Sequence, residues 1–203
     1  MLTNKTEHTQ IINPFISELI HYIKLLDKEI IILNEKIKIS KDPVSDGLCD
    51  SAEYLIGAGF TAIQKYILEI CMFKKLKKDE FIDSGSKIKS NITFLRAIWT
   101  GANYWKHDAE WWEEAVKMSE KDPNELMALK ITGPEKGLAK KNLEIISEFG
   151  EFGRDFICSN ILAEICKKEI LNLEELLPRL EIWLREAEEA QTLTHNHPAS
   201  NLT

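Results

Sequence analysis

Arg96, Thr100, Asn103 and His107 are the residues of this sequence best spaced to do chemistry together. On an α-helix, at about 100° per residue, they fall within about 60° of one another. Histidine accepts and donates protons near neutral pH, and an amide one helical turn away can orient it or hold a substrate oxygen. Arginine grips a phosphate through two parallel hydrogen bonds. The expected roles are proton transfer for His107, orientation or substrate contact for Asn103, and phosphate binding for Arg96, with Thr100 on the same stripe. Trp99 lies about 60° to one side of the stripe and Lys106 about 80°, and they complete the substrate-binding candidates. Arg96 and His107 are separated by roughly 16 Å along the axis, so one helix alone does not bring both to a single phosphate. A plainer reading stays open. In it His107 ends a helix, where a cation is favoured, Asn103 lies on the surface, Arg96 pairs with a carboxylate of another helix, and the tryptophans fill a core.

These residues belong to one stretch, Arg96 to Trp112, which holds four of the five tryptophans and one of the five histidines. Phe94, Ile98, Ala102 and Trp105 gather opposite the polar stripe, so the spacing predicts a helix with one buried and one presented face. It is expected to start near Ser86 or Ser90 and to end at about His107, with a short amphipathic turn over 108–123. Within it, Ala102-Asn103-Tyr104-Trp105-Lys106-His107 resembles the signature of the HEPN superfamily of small all-α nucleotide-binding and ribonuclease proteins. Asn103 and His107 match the polar residue and the closing histidine of that signature, and Ala102 stands where the family carries arginine. The resemblance covers one helix. It implies a homodimer with two such helices facing across a cleft. It also implies metal-independent RNA cleavage, in which the ribose 2′-hydroxyl attacks its own phosphate, in a bacterial toxin–antitoxin or antiviral defence setting with a cognate partner protein. Ala102 leaves two expectations. One is a member that binds RNA, a nucleotide or a partner without cutting. The other is a composite site, in which Arg96 of one chain meets His107 of its partner across a two-fold axis near Gly101.

Two long helices are expected to frame this stretch. Asn13-Pro14 starts the first, over 14–37, in which Ile12, Ile16, Leu19, Ile23, Leu26, Ile30, Leu33 and Ile37 repeat at heptad spacing. Phe15, Ile20, Ile31 and Ile32 widen that seam, which favours packing inside one chain over a dimer seam. The second, over 45–78, has the apolar face Leu48, Ala52, Leu55, Gly59, Ile63, Tyr66, Ile70 and Phe73. Gly57 and Gly59 mark close helix approach or a kink. Lys74, Lys75, Lys77 and Lys78 suit its C-terminus or, alternatively, a phosphate. Asp46, Asp50 and Glu53 suit its first turns. A loop over 79–89 is expected, then shorter helices starting at Asp122-Pro123, running from Gly133-Pro134 to about Phe149, spanning 154–168, and running from Asn172 to about Ala190. No sustained period-two alternation predicts a strand. The expected architecture is all-α: a single-domain, HEPN-like helical bundle over 1–192 and a disordered polar tail over 193–203.

A net charge of −7 argues against a uniformly basic nucleic-acid binder, although a local patch can hold a phosphate backbone. Cys49, Cys71, Cys158 and Cys166 form no CxxC pair, which favours buried free thiols over zinc. His195 and His197 lack a ligand set. Walker, GxGxxG, HExxH and GxSxG motifs are missing, so neither metal nor cofactor is expected. Without a signal peptide or a run of 18 apolar residues, a cytoplasmic protein off the membrane is expected. The function from another class is a non-catalytic helical adaptor or regulatory subunit binding a protein partner or nucleotide. Burial of Asn103 and His107 among intrachain partners would favour it.

Overall fold

A computed structural model describes residues 15–119, 138–168 and 170–196 of the chain. The described residues form an all-α helical bundle with seven α-helices and one very small hairpin. Helices α1 (Ile16–Ile39) and α2 (Leu48–Lys74) are the expected long pair and pack on each other. Leu19, Ile23 and Ile30 of the heptad seam are buried within the chain, whereas Ile31 and Ile32, which widened it, are exposed. Ile12 and the Asn13-Pro14 start lie outside the described residues. The two glycines of α2 serve close approach. A Cβ on Gly57 would lie 2.4 Å from the Trp105 ring, and one on Gly59 2.5 Å from Leu173. By length and composition α2 could also cross a membrane, but 56% of its most apolar window is buried in the bundle.

The stretch after α2 is more ordered than expected. It holds α3 (Lys78–Ile82) and the antiparallel strands β1 (Lys87–Lys89) and β2 (Ile92–Thr93), with Lys87 opposite Thr93. Strands this short carry no legible period-two pattern.

Helix α4 (Phe94–Ser119) carries the candidate stripe. Its start is fixed by Thr93 rather than by Ser86 or Ser90. Thr93 Oγ1 accepts the Arg96 N–H at 3.1 Å, an N-cap bond, and donates to the Ile82 carbonyl at 2.6 Å. Nor does α4 stop at His107. Neither glycine nor proline occurs from Ala102 to Ser119, and the helix runs through the segment expected to be a separate turn.

There follow α5 (Leu138–Ile146), α6 (Ile157–Cys166), a 3-10 turn (Leu173–Leu176) and α7 (Leu177–Asn196). Asn172 caps the 3-10 turn, its Oδ1 accepting the Glu174 N–H at 2.8 Å. Pro178 sits in the first turn of α7, where its missing N–H costs nothing. Because α7 reaches Asn196, residues 193–196 of the expected tail are helical. Residues 197–203 lie outside the described residues, as do the helix starts at Asp122-Pro123 and Gly133-Pro134.

Two carboxylates on the long helices hold the C-terminal elements. Glu53 of α2 accepts the Cys158 N–H at 2.6 Å and the Ser159 N–H at 2.8 Å, so it caps the start of α6 instead of serving its own helix. Asp27 of α1, buried, accepts the Leu173 and Glu174 N–H groups at 2.8 and 2.7 Å. Each supplies acceptors to N–H groups that a helix start leaves unpaired.

Candidate functional site

The core surrounds α4 at the level of the stripe. The helix packs against α2, α5 and α6 together, and from Ile92 to Tyr104 every residue is buried. The expectation of one presented face therefore fails here, because α5 covers the side on which a solvent-facing stripe would lie. A helix enclosed all round must satisfy its polar groups internally.

Arg96 does so through Asp83, at the end of α3. Its Nε and Nη2 donate to the two carboxylate oxygens at 2.6 and 2.8 Å. The Arg96 side chain is 11% exposed and that of Asp83 is 53% exposed. The guanidinium holds the Asp83 carboxyl below its ordinary range, chiefly through these hydrogen bonds. The phosphate-gripping fork is thus occupied by a carboxylate of the same chain, as the plainer reading of Arg96 has it.

Asn103 is buried as well, which corrects its placement on the surface. Its Oδ1 accepts from Gln64 Nε2 at 2.9 Å, and its Nδ2 donates to Asn142 Oδ1 at 3.3 Å. Gln64 Oε1 in turn accepts from Lys106 Nζ at 2.6 Å, and partial burial lowers the lysine's affinity for its proton. Lys106 and Asn103 thus belong to one network through Gln64. Trp99 is buried, with Lys78 Nζ 5.0 Å from its ring centre. Thr100 is fully buried, and its hydroxyl has no hydrogen-bond partner among the described residues.

His107 stands apart. Its side chain is 42% exposed, its Nδ1 lies 3.0 Å from Glu110 Oε2, and its ring stacks on Trp111 at 6.0 Å. A carboxylate only accepts, so Nδ1 carries the proton and Nε2 remains for proton transfer. The four stripe residues are therefore not one site. Arg96, Asn103 and Thr100 are interior, and only His107 meets solvent.

The two-fold arrangement about Gly101 has no open face to use. A Cβ there would lie 2.7 Å from Phe60 and 3.2 Å from Ile161, so the close approach that the glycine allows is spent inside the chain. Ala102 is fully buried too, which leaves no room at the signature's arginine position.

Asp83, Gln64 and Asn142 were not among the sequence candidates. Gln64 had a signal, a lone amide between Ile63 and Ile67 on the buried side of α2. Asp83 and Asn142 had none, since both meet α4 only through the tertiary fold. The four cysteines are free thiols. Burial raises the Cys71 and Cys158 thiols and pushes Cys166 up to about 11, which makes them poor nucleophiles. No family model, curated protein or solved structure matches this chain significantly.

Proposed function

We propose that this protein is a non-catalytic helical adaptor that binds an amphipathic helix of a protein partner. The observation that carries this reading is the enclosure of the stripe. Arg96 and Asn103 are consumed by Asp83, Gln64 and Asn142, and Thr100 is sealed from solvent. The docking surface is the groove between α1 and α2, of about 510 Å³. Phe15, Leu19 and Tyr22 line one side, Ala58, Ala62 and Tyr66 the other, and Glu18, Lys65 and Glu69 stand with them. Small side chains on α2 let a third helix approach closely, and the charges select its register.

The test joins two measurements. A photoreactive amino acid in place of Tyr22 is expected to capture one discrete protein in cells, and the bulky Ala62→Arg is expected to abolish that capture. Purified protein incubated with tRNA and mRNA in EDTA is expected to leave both intact. Metal-independent cleavage by the wild type that His107→Ala abolishes would overturn the adaptor reading.

One observation favours a second reading, the HEPN-like RNA-acting protein. His107 is part-exposed, with Nδ1 held by Glu110 and Nε2 available for proton transfer. In that reading the phosphate ligand comes from a second copy or a cognate defence-system protein, since Arg96 is engaged. The same EDTA assay, repeated with the partner captured at Tyr22, tests it.

A further inference from the structure

A second cavity, of about 280 Å³, shares no lining residue with the α1–α2 groove and takes no part in the reading above. Tyr104, Asp108, Ala109 and Trp112 of α4 line it together with Phe152 and Gly153 of the segment between α5 and α6. Three of these six residues are aromatic. Phe152 meets Tyr104 edge-on at 6.0 Å and 81°, and Trp112 at 6.2 Å and 46°. The rings are thus steeply inclined walls rather than a stack. Trp112 is 47% exposed, and Ala109 and Gly153 are exposed beside it, so the mouth opens to solvent. Gly153 shapes that mouth. Its φ of +74° is left-handed, and a Cβ on it would lie 2.8 Å from the Trp112 ring.

The charge of the cavity is one-sided. Asp108 Oδ1 accepts the Ala109 N–H at 2.7 Å, and Oδ2 accepts no hydrogen bond among the described residues. Glu53 and Asp155 stand close enough to act, with Asp108, on the Tyr104 phenol. Arg154, the nearest cation in sequence, is turned to Glu151 at 3.0 Å. Aromatic faces and a carboxylate attract a cation. The chemistry also limits which cation. A primary ammonium brings three N–H donors that need acceptors when desolvated, and the lining side chains supply only the Asp108 carboxylate and the Tyr104 hydroxyl. A fully alkylated nitrogen brings none. The volume, just under that of a typical small-molecule pocket, suits a head group rather than a whole ligand.

We infer that the cavity between Tyr104, Trp112, Phe152 and Asp108 binds a quaternary ammonium group. The group is either a free small molecule such as choline or a trimethylated lysine side chain of a peptide.

The test is calorimetric titration of the full chain with tetramethylammonium, choline, a trimethyllysine peptide, and 3,3-dimethylbutan-1-ol, the neutral isostere of choline. Choline is expected to bind about tenfold tighter than the neutral alcohol. Trp112→Leu and Asp108→Asn are each expected to weaken choline binding several-fold with an unchanged circular dichroism spectrum. The peptide arm assigns the source: tighter binding than choline points to a methylated protein, weaker binding to a free metabolite. Equal affinity for choline and the neutral alcohol, or no binding of any cation at tens of millimolar, would overturn the inference. So would choline binding that both variants retain in full.

Discussion

At the scale of single residues, the Arg96–Asp83 pair makes the sharpest prediction. Asp83→Asn leaves a buried guanidinium without its counter-charge. The expected loss is about 1–2 kcal/mol, below the cost of breaking a fully buried pair because Asp83 is half-exposed. The pH dependence follows from the same pair. The folded pKa of Asp83 lies below its ordinary value of 3.8, so its contribution is present above that value and fades as pH falls through the folded one. Asp27 runs the other way. Burial, outweighing two backbone hydrogen bonds, raises its pKa, so its charge costs stability at neutral pH and protonation relieves that cost. Melting curves from about pH 6 to about pH 2 should show wild type improving relative to Asp27→Asn as pH falls toward 3.8 and losing its advantage over Asp83→Asn below 3.8. Thr100 offers a further check. Its hydroxyl is sealed in without a partner among the described residues, so Thr100→Val should leave the melting temperature unchanged or raise it. A clear fall would mean that the hydroxyl is engaged.

At the scale of elements, α4 is held by groups from its neighbours. Gly101→Ala would press a methyl against Phe60 and Ile161, and an overpacking cost of about 1–3 kcal/mol is expected in chemical denaturation. Ala102→Arg, which would complete the HEPN-like signature, should prevent folding or cost several kcal/mol, since a full charge would enter the core without a partner. Were Ala102→Arg instead folded and newly able to cleave RNA in EDTA, the packing around α4 would be misdescribed. The remote caps are separable from this. Glu53→Gln keeps the shape but exchanges a charged acceptor at the start of α6 for a neutral one. A loss of about 1 kcal/mol is expected, with hydrogen exchange accelerated first at Cys158 and Ser159.

For the molecule as a whole, the question is which surface does the work. Tyr22 is 43% exposed in the α1–α2 groove. Tyr22→Glu should therefore leave the unfolding free energy within about 0.5 kcal/mol of wild type while abolishing partner capture by a photoreactive amino acid moved to the Glu18 position of the same groove. Loss of stability together with capture would make the groove part of the fold rather than a docking surface. The ammonium cavity is independent of this result, because no residue lines both cavities.

The all-α bundle was legible in the sequence because its signals are local. Leu19, Ile23 and Ile30 recur at helical spacing, Gly57 and Gly59 pointed to close approach or a kink, and Asn172 marked a helical start, each within a turn or two of chain. The stripe was legible only as an arrangement on one helix. Helical geometry states which residues share a face, and it is silent about what covers that face. Asp83 and Asn142 reach Arg96 and Asn103 across 13 and 39 residues, and Glu53 reaches Cys158 across 105. Such pairings depend on how the elements stack, so periodicity cannot carry them. Composition and spacing determined that Arg96, Thr100, Asn103 and His107 would line one side of a helix. Only the packing of α2, α3 and α5 around α4 decided that three of them belong to the core, because burial is a property of the neighbours as much as of the helix itself.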